Sequence, residues 1–240
     1  MPEIIFTGPE GRLEGRYHHN EDKSSPVAVV LHPHPLYGGT MNNKIVYRLY
    51  QCFAQNGFSV LRFNFRGVGR SLGKFDDGLG ELSDAATALD WVQQQNPDAS
   101  SCWISGFSFG SWIALQLLMR RPEIEGFVTV SPPANMYDFG FLSPCPAHGL
   151  VLQGDRDDIV NESSVGKLVD KLGSQKGTNV DYKVVEKADH YYRNSVEDLT
   201  TEVNDYIARK LVEFRERPRL RPDRKRRQLP PDELPLSQEA

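Results

Sequence analysis

The sequence predicts an α/β protein with a mostly parallel β-sheet and helices on both faces. Three observations carry that reading. Short apolar runs alternate with longer amphipathic stretches along most of the chain, the pattern of successive strand–helix units. Several runs, "VAVVLH" above all, are apolar at every position, as strands buried on both faces must be. Chemistry-bearing residues also gather just past the strands, where open parallel sheets collect their reacting groups.

The elements follow in order. Glu3 to Thr7 and Arg12 to Tyr17 flank "GPEG", a hairpin turn. Val27 to His32 is β-branched and apolar, hence a buried strand. Asn43 to Gln55 has helical periodicity and Gly57 ends it. "FSVLRFNF" is the next strand. Glu81 to Gln95 is an amphipathic helix with Leu82, Ala85, Leu89 and Trp91-Val92 inward, stopped by Asn96-Pro97. Cys102 to Ile104 begins a strand, and Trp112 to Met119, apolar on nearly every face, is a buried helix. "GFVTVS", "HGLVLQ" and "VDYKVVE" are strands, with a helix over Ser163 to Leu172 between the last two. Ser195 to Phe214 is the closing helix.

The 240 residues can bury a sizeable core as one domain, over residues 1–214. At 39% hydrophobic and 25% charged, the composition is that of an ordinary globular protein. The first residues lack the basic and apolar regions of a signal peptide, and no run is long enough to span a membrane. Cys52, Cys102 and Cys145 are odd in number and far apart, so they read as reduced thiols of a cytoplasmic protein. The net charge of −4 is uneven, because residues 215–240 hold eight of the 28 basic residues and five of the 32 acidic ones. That proline-rich tail is expected to be disordered. Its Arg224-Lys225-Arg226-Arg227 cluster could touch nucleic acid or an anionic membrane, but a solvated appendage is the plainer reading. Neither a membrane nor nucleic acid is the expected partner, and the oligomeric state is open.

The chemistry centres on "ISGFSFGSWIAL", where a strand turns sharply into a helix at Ser108. Gly106 and Gly110 keep Cβ atoms away from that corner, and the backbone strain at Ser108 implies a purpose, namely exposing one Oγ. "LQGDRDDIV" and "VVEKADHYY" add acids and a histidine past later strands, giving the order serine, acid, histidine. A serine hydroxyl needs a base beside it to attack at neutral pH. His190, beyond the last strand, is the best candidate. His18 and His19 lie in the early hairpin, His148 opens a strand, and His32 and His34 alternate with prolines in what reads as a rigid loop. Asp155, Asp157 and Asp158 compete for the acid. "RGVGRSLG" lacks the third glycine of a dinucleotide fingerprint, "HPHP" has no partners at metal-ligand spacing, and "FDDGLGE" is too short for a calcium loop.

With "LHPHPLYGGTMNNK", "RFNFRGVGRSLGKFDDGLGE", "GFSFGSW", "GDRDDIV" and "ADHYY", the chain resembles the α/β-hydrolases over residues 3–212. More narrowly it is similar to the small bacterial-type hydrolases of the dienelactone hydrolase and serine aminopeptidase-like group. The resemblance implies an eight-stranded sheet, hydrolase activity, and no cofactor or metal. It also implies an acid three residues past the turn glycine and three before an apolar residue. Gly154-x-x-Asp157-x-x-Val160 fits, so Asp157 is preferred and Asp155 stands second; the other carboxylates are expected to bond to the turn backbone. The oxyanion hole needs two backbone donors. Phe109, after the nucleophile, supplies one. The other belongs to the loop after the Val27 strand, where Pro33 and Pro35 have no N–H; Leu36 is chosen, with Tyr37 next. Residues 131–146 are too few for a cap domain, so the site should be shallow. Phe107, Tyr37, Met136, Tyr137, Phe139 and Phe141 could line an acyl pocket. The expected function is a serine hydrolase of small or medium acyl esters; thioesters, lactones and small peptides stay open. The alternative is a non-catalytic binding module on the same fold.

Overall fold

A computed structural model describes residues 3–142, 144–175 and 179–216. The expected tail at 215–240 lies outside them, apart from two residues that end the last helix. The chain starts with a hairpin of β1 (Glu3–Gly8) and β2 (Gly11–His18), turned at Gly11 with φ 110°. Then follow β3 (Val27–Leu31), α1 (Lys44–Gln55), β4 (Ser59–Phe63), α2 (Leu79–Gln95), β5 (Cys102–Phe107) and α3 (Phe109–Leu118). After them come β6 (Ile124–Val130), β7 (His148–Gly154), α4 (Glu162–Gly173), β8 (Val180–Val185) and α5 (Val196–Glu216).

The eight strands form one sheet in the order β1-β2-β4-β3-β5-β6-β7-β8. β3 to β8 run parallel to one another, and β2 pairs antiparallel with both β1 and β4. Because side chains alternate across a strand, each central strand feeds two cores. Val27, Val29, Leu31 and Ile104 join α2, α3 and α4 on one face. Ala28, Val30, Trp103, Leu150 and Leu152 join α1 and α5 on the other. Each fully buried Val or Leu contributes about 1.5–3 kcal/mol. A charge at Val29, which has no exposed surface, would break the fold.

Two helices begin earlier than their apolar patterns suggest, for local polar reasons. α2 starts at Leu79 because the Glu81 carboxylate accepts the N–H groups of Gly78 at 2.8 Å and Asp76 at 3.1 Å. α3 starts at Phe109, directly after the corner at Ser108. All three cysteines are free and buried, and burial pushes the Cys52 and Cys102 thiols up to about 12, which leaves them unreactive. Among the described residues no helix is long and apolar enough to cross a membrane.

Candidate active site

Ser108 takes φ 53° and ψ −121°, a backbone state that side chains rarely adopt. It is the one residue between 101 and 111 that is not buried. The two glycines are required by space. A Cβ on Gly110 would lie 2.5 Å from the Leu31 carbonyl oxygen and 2.6 Å from that of His32, and one on Gly106 would strike the Gly110 carbonyl. So α3 presses its first turn against the end of β3. Ser111 locks the corner from below: its Oγ lies 2.8 Å from Gly106 O and 3.0 Å from Val130 O, sharing one hydrogen between them. Nothing in the sequence distinguishes this serine from an ordinary helical one.

Asp157 and His190 meet past β7 and β8. His190 Nδ1 donates to Asp157 Oδ2 at 2.7 Å, with both side chains almost wholly buried. Asp157 Oδ1 accepts the N–H groups of Ile159 at 3.0 Å and Val160 at 2.7 Å. Gln153 Nε2 adds a further donor to Oδ2 at 3.1 Å. Burial alone would raise the Asp157 carboxyl, but the bond and charge of His190 and the two backbone donors outweigh it and hold the pKa below the usual range. Asp155 and Asp158 are exposed. The backbone of this turn is therefore held by Asp157 itself, not by the spare carboxylates, because only Asp157 points inward. Asp189 orders its own loop through the Arg193 N–H at 2.8 Å. Phe107 packs its ring 5.0 Å from that of His190, putting the imidazole over the end of the strand that leads into Ser108.

The loop after β3 differs from expectation. The Leu36 N–H donates to His34 Nδ1 at 3.2 Å, and the Tyr37 N–H to His34 O at 3.1 Å. Both are spent inside a tight turn, Pro35–Tyr37, so neither stands free for an oxyanion. The His34 N–H makes no hydrogen bond among the described residues. Phe109 N–H belongs to the first turn of α3, which lacks intrahelical partners. His32 is fully buried: its Nδ1 lies 2.6 Å from Pro33 O, and its Nε2 accepts the Phe65 N–H at 3.0 Å. Desolvation drops its pKa to about 4, so the ring is neutral and staples this loop to the one after β4.

That second loop rests on a buried pair. Arg66 bonds Asp84 through Nε at 3.0 Å and Nη2 at 2.8 Å, and its own N–H reaches the same carboxylate at 2.9 Å. With Glu81 it orders the "RGVGRSLGKFDDGLGE" stretch and sets Phe75 against His34. Of the expected pocket residues, Phe107 and Phe139 are buried, Tyr137 and Phe141 half-buried, and Tyr37 and Met136 exposed. Residues 131–146, where described, form turns and bends with no cap. Among the described residues no group of three His, Cys, Asp or Glu side chains could hold a metal ion.

Comparison with known proteins agrees with this architecture. Residues 16–152 match the model of the X-Pro dipeptidyl-peptidase (S15) family, and the chain belongs to it. The protein is a hydrolase of the α/β-hydrolase superfamily, without a lid. A protein of Rickettsia prowazekii is 55% identical over 211 residues, covering 86% of this chain and 89% of that one. The crystal structure of an α/β-hydrolase from Agrobacterium tumefaciens is 55% identical with a TM-score of 0.86, over 88% of this chain and 97% of that one. A lid-less α/β serine hydrolase from Xanthomonas campestris is 30% identical with a TM-score of 0.78, over 88% and 94%.

Proposed function

We propose that the protein is a cytoplasmic serine hydrolase that cleaves small or medium acyl esters through Ser108, His190 and Asp157. The observation that carries the reading is the buried 2.7 Å bond from His190 to an Asp157 whose other oxygen is taken by backbone N–H groups. It fixes the imidazole with its proton on Nδ1, leaving Nε2 to act as base. Ser108 Oγ attacks the ester carbonyl carbon as its proton passes to His190 Nε2. The oxyanion is met by the Phe109 N–H and by a donor from the loop after β3. Since the Leu36 N–H is engaged there, the unengaged His34 N–H is the better candidate. Collapse expels the alcohol with the proton from His190, and water then releases the acid by the same route in reverse.

The lack of a cap and the exposed apolar groups Tyr37, Met136 and Tyr191 favour an open site for modest acyl groups. A fluorophosphonate probe tests the reading. It should label the native protein, and neither boiled protein nor Ser108→Ala. Absence of labelling would leave a non-catalytic binding module. A screen of p-nitrophenyl esters of graded length, with a thioester, a lactone and an X-Pro p-nitroanilide, then separates the substrate classes.

A further inference from the structure

A ring cluster beside Ser108 has no task in the acyl-transfer chemistry. The His34 ring lies 4.7 Å from Tyr37, 4.8 Å from Phe75 and 4.9 Å from Phe109, centroid to centroid. Phe109, the residue after Ser108, lies 6.0 Å from Tyr137. Phe109 is sealed in the core, but the rings in front of it are open: His34, Phe75 and Tyr137 are half-buried, and Tyr37 is 86% exposed. One atom sets the polarity of the cluster. His34 Nδ1 accepts the Leu36 N–H, so a neutral ring carries its proton on Nε2. Desolvation pushes the ring toward that neutral form, against the opposing pull of Asp77. Nε2–H has no hydrogen-bond partner among the described residues, while the Leu36 N–H on Nδ1 holds the ring in place.

We propose that His34, Tyr37, Phe75 and Tyr137, backed by the buried Phe109, form a subsite for an aromatic group of the substrate, with His34 Nε2–H donating to an oxygen on that group. The inference rests on the hydrolase reading of Ser108 and names the substrate class. A flat ring gains offset and edge contacts from these faces that a saturated group of equal area does not. This donor is open to water in the free protein, so a substrate oxygen that takes the water's place keeps the bond, whereas an apolar group laid over it loses the bond and is disfavoured.

The test compares kcat/KM for methyl hydrocinnamate, its ring-saturated cyclohexyl counterpart and the ortho, meta and para methoxy derivatives. The native protein should prefer the aromatic ester to the saturated one by about tenfold, and one methoxy isomer should add a further severalfold gain. His34→Phe keeps a ring but no donor, so it should retain the aromatic preference and lose the methoxy gain. Tyr37→Leu combined with Tyr137→Leu should erode the aromatic preference itself. Equal rates on the aromatic and saturated esters would overturn the proposal, as would a methoxy gain that survives in His34→Phe. The first comparison needs only the native protein, so a variant that fails to fold does not shield the idea. If no ester is cleaved, the hydrolase reading falls alone. Calorimetry with the free acids then decides the subsite: the same ranking supports it, and no binding removes it.

Discussion

Two buried charged pairs stand near the carboxyl edge of the sheet, and they are built in opposite ways. Arg66 meets Asp84 through two parallel side-chain bonds, and its own N–H adds a third to the same carboxylate. Asp157 meets His190 through one bond, while its second oxygen is held by backbone. In the first pair the two partners spend their geometry on each other. In the second, the imidazole keeps a nitrogen outside the pair. Burial is equal, so burial alone does not separate scaffold from chemistry. What the proposed chemistry uses is the spare nitrogen of the imidazole, whose ring packs against Phe107, the residue before the strained Ser108.

The contrast breaks most sharply at Asp157. Asp157→Asn can still accept from the turn backbone but orients the imidazole wrongly, so kcat on an activated ester should fall by about four orders of magnitude. The exposed Asp155→Asn should cost far less. Circular dichroism must show both folded. If Asp155→Asn is then the more crippled, His190 works with the other acid.

At the scaffold pair the loss should appear in stability. Asp84→Leu leaves the Arg66 guanidinium buried and unpaired, at a cost of about 3–5 kcal/mol by urea unfolding. Adding Arg66→Met should restore most of it, because a buried pair replaced whole by apolar groups is often neutral. A double variant as unstable as the single one would mean that the pair supplies net stability.

The two pairs also differ in how they could be read beforehand. Asp157 and His190 follow strands in a recognisable order, and the acid position implied by the family resemblance favoured Asp157 over its neighbours. Asp84 sits at an ordinary helical position, and Arg66 lies in a glycine-rich stretch that resembles a turn. Their partnership depends on how α2 packs against the end of β4, which no local pattern encodes. The strands and helices were legible for the same reason as the order serine, acid, histidine, since periodicity and turn residues are local. The Leu36 donor was misread because a side chain three-dimensionally nearby, His34, competes for the same N–H. His32 was legible only as part of a stiff loop. Its bond to the Phe65 N–H spans two strand ends.

His32 adds a pH dependence that belongs to scaffold, not chemistry. Burial lowers its pKa to about 4 from an ordinary 6.5. Between those values the unfolded chain takes up a proton that the folded one refuses, so stability falls as pH falls through that window and is unaffected by this group above it. The expected loss is about 2 kcal/mol between pH 7 and 5. His32→Gln can offer a similar donor and acceptor without titrating, and should flatten that slope in denaturant titrations. An unchanged slope would place the pH dependence elsewhere.

The smallest expected effect tests how finely the Asp157–His190 pair is poised. Gln153 Nε2 shares Asp157 Oδ2 with His190 and also reaches Val160 O at 2.7 Å. Its donation steadies the carboxylate and draws electron density from the oxygen that His190 uses. Gln153→Met keeps the volume and removes the donor. Asp157 then becomes a stronger acceptor, favouring the imidazolium, so the acid limb of kcat/KM should move to higher pH. The change in kcat at its plateau should be about tenfold or less, near 1 kcal/mol. A purely structural role would lower the plateau or the melting temperature and leave the limb where it was. A limb that moves to lower pH would mean that Gln153 acts on His190 through something other than Asp157 Oδ2.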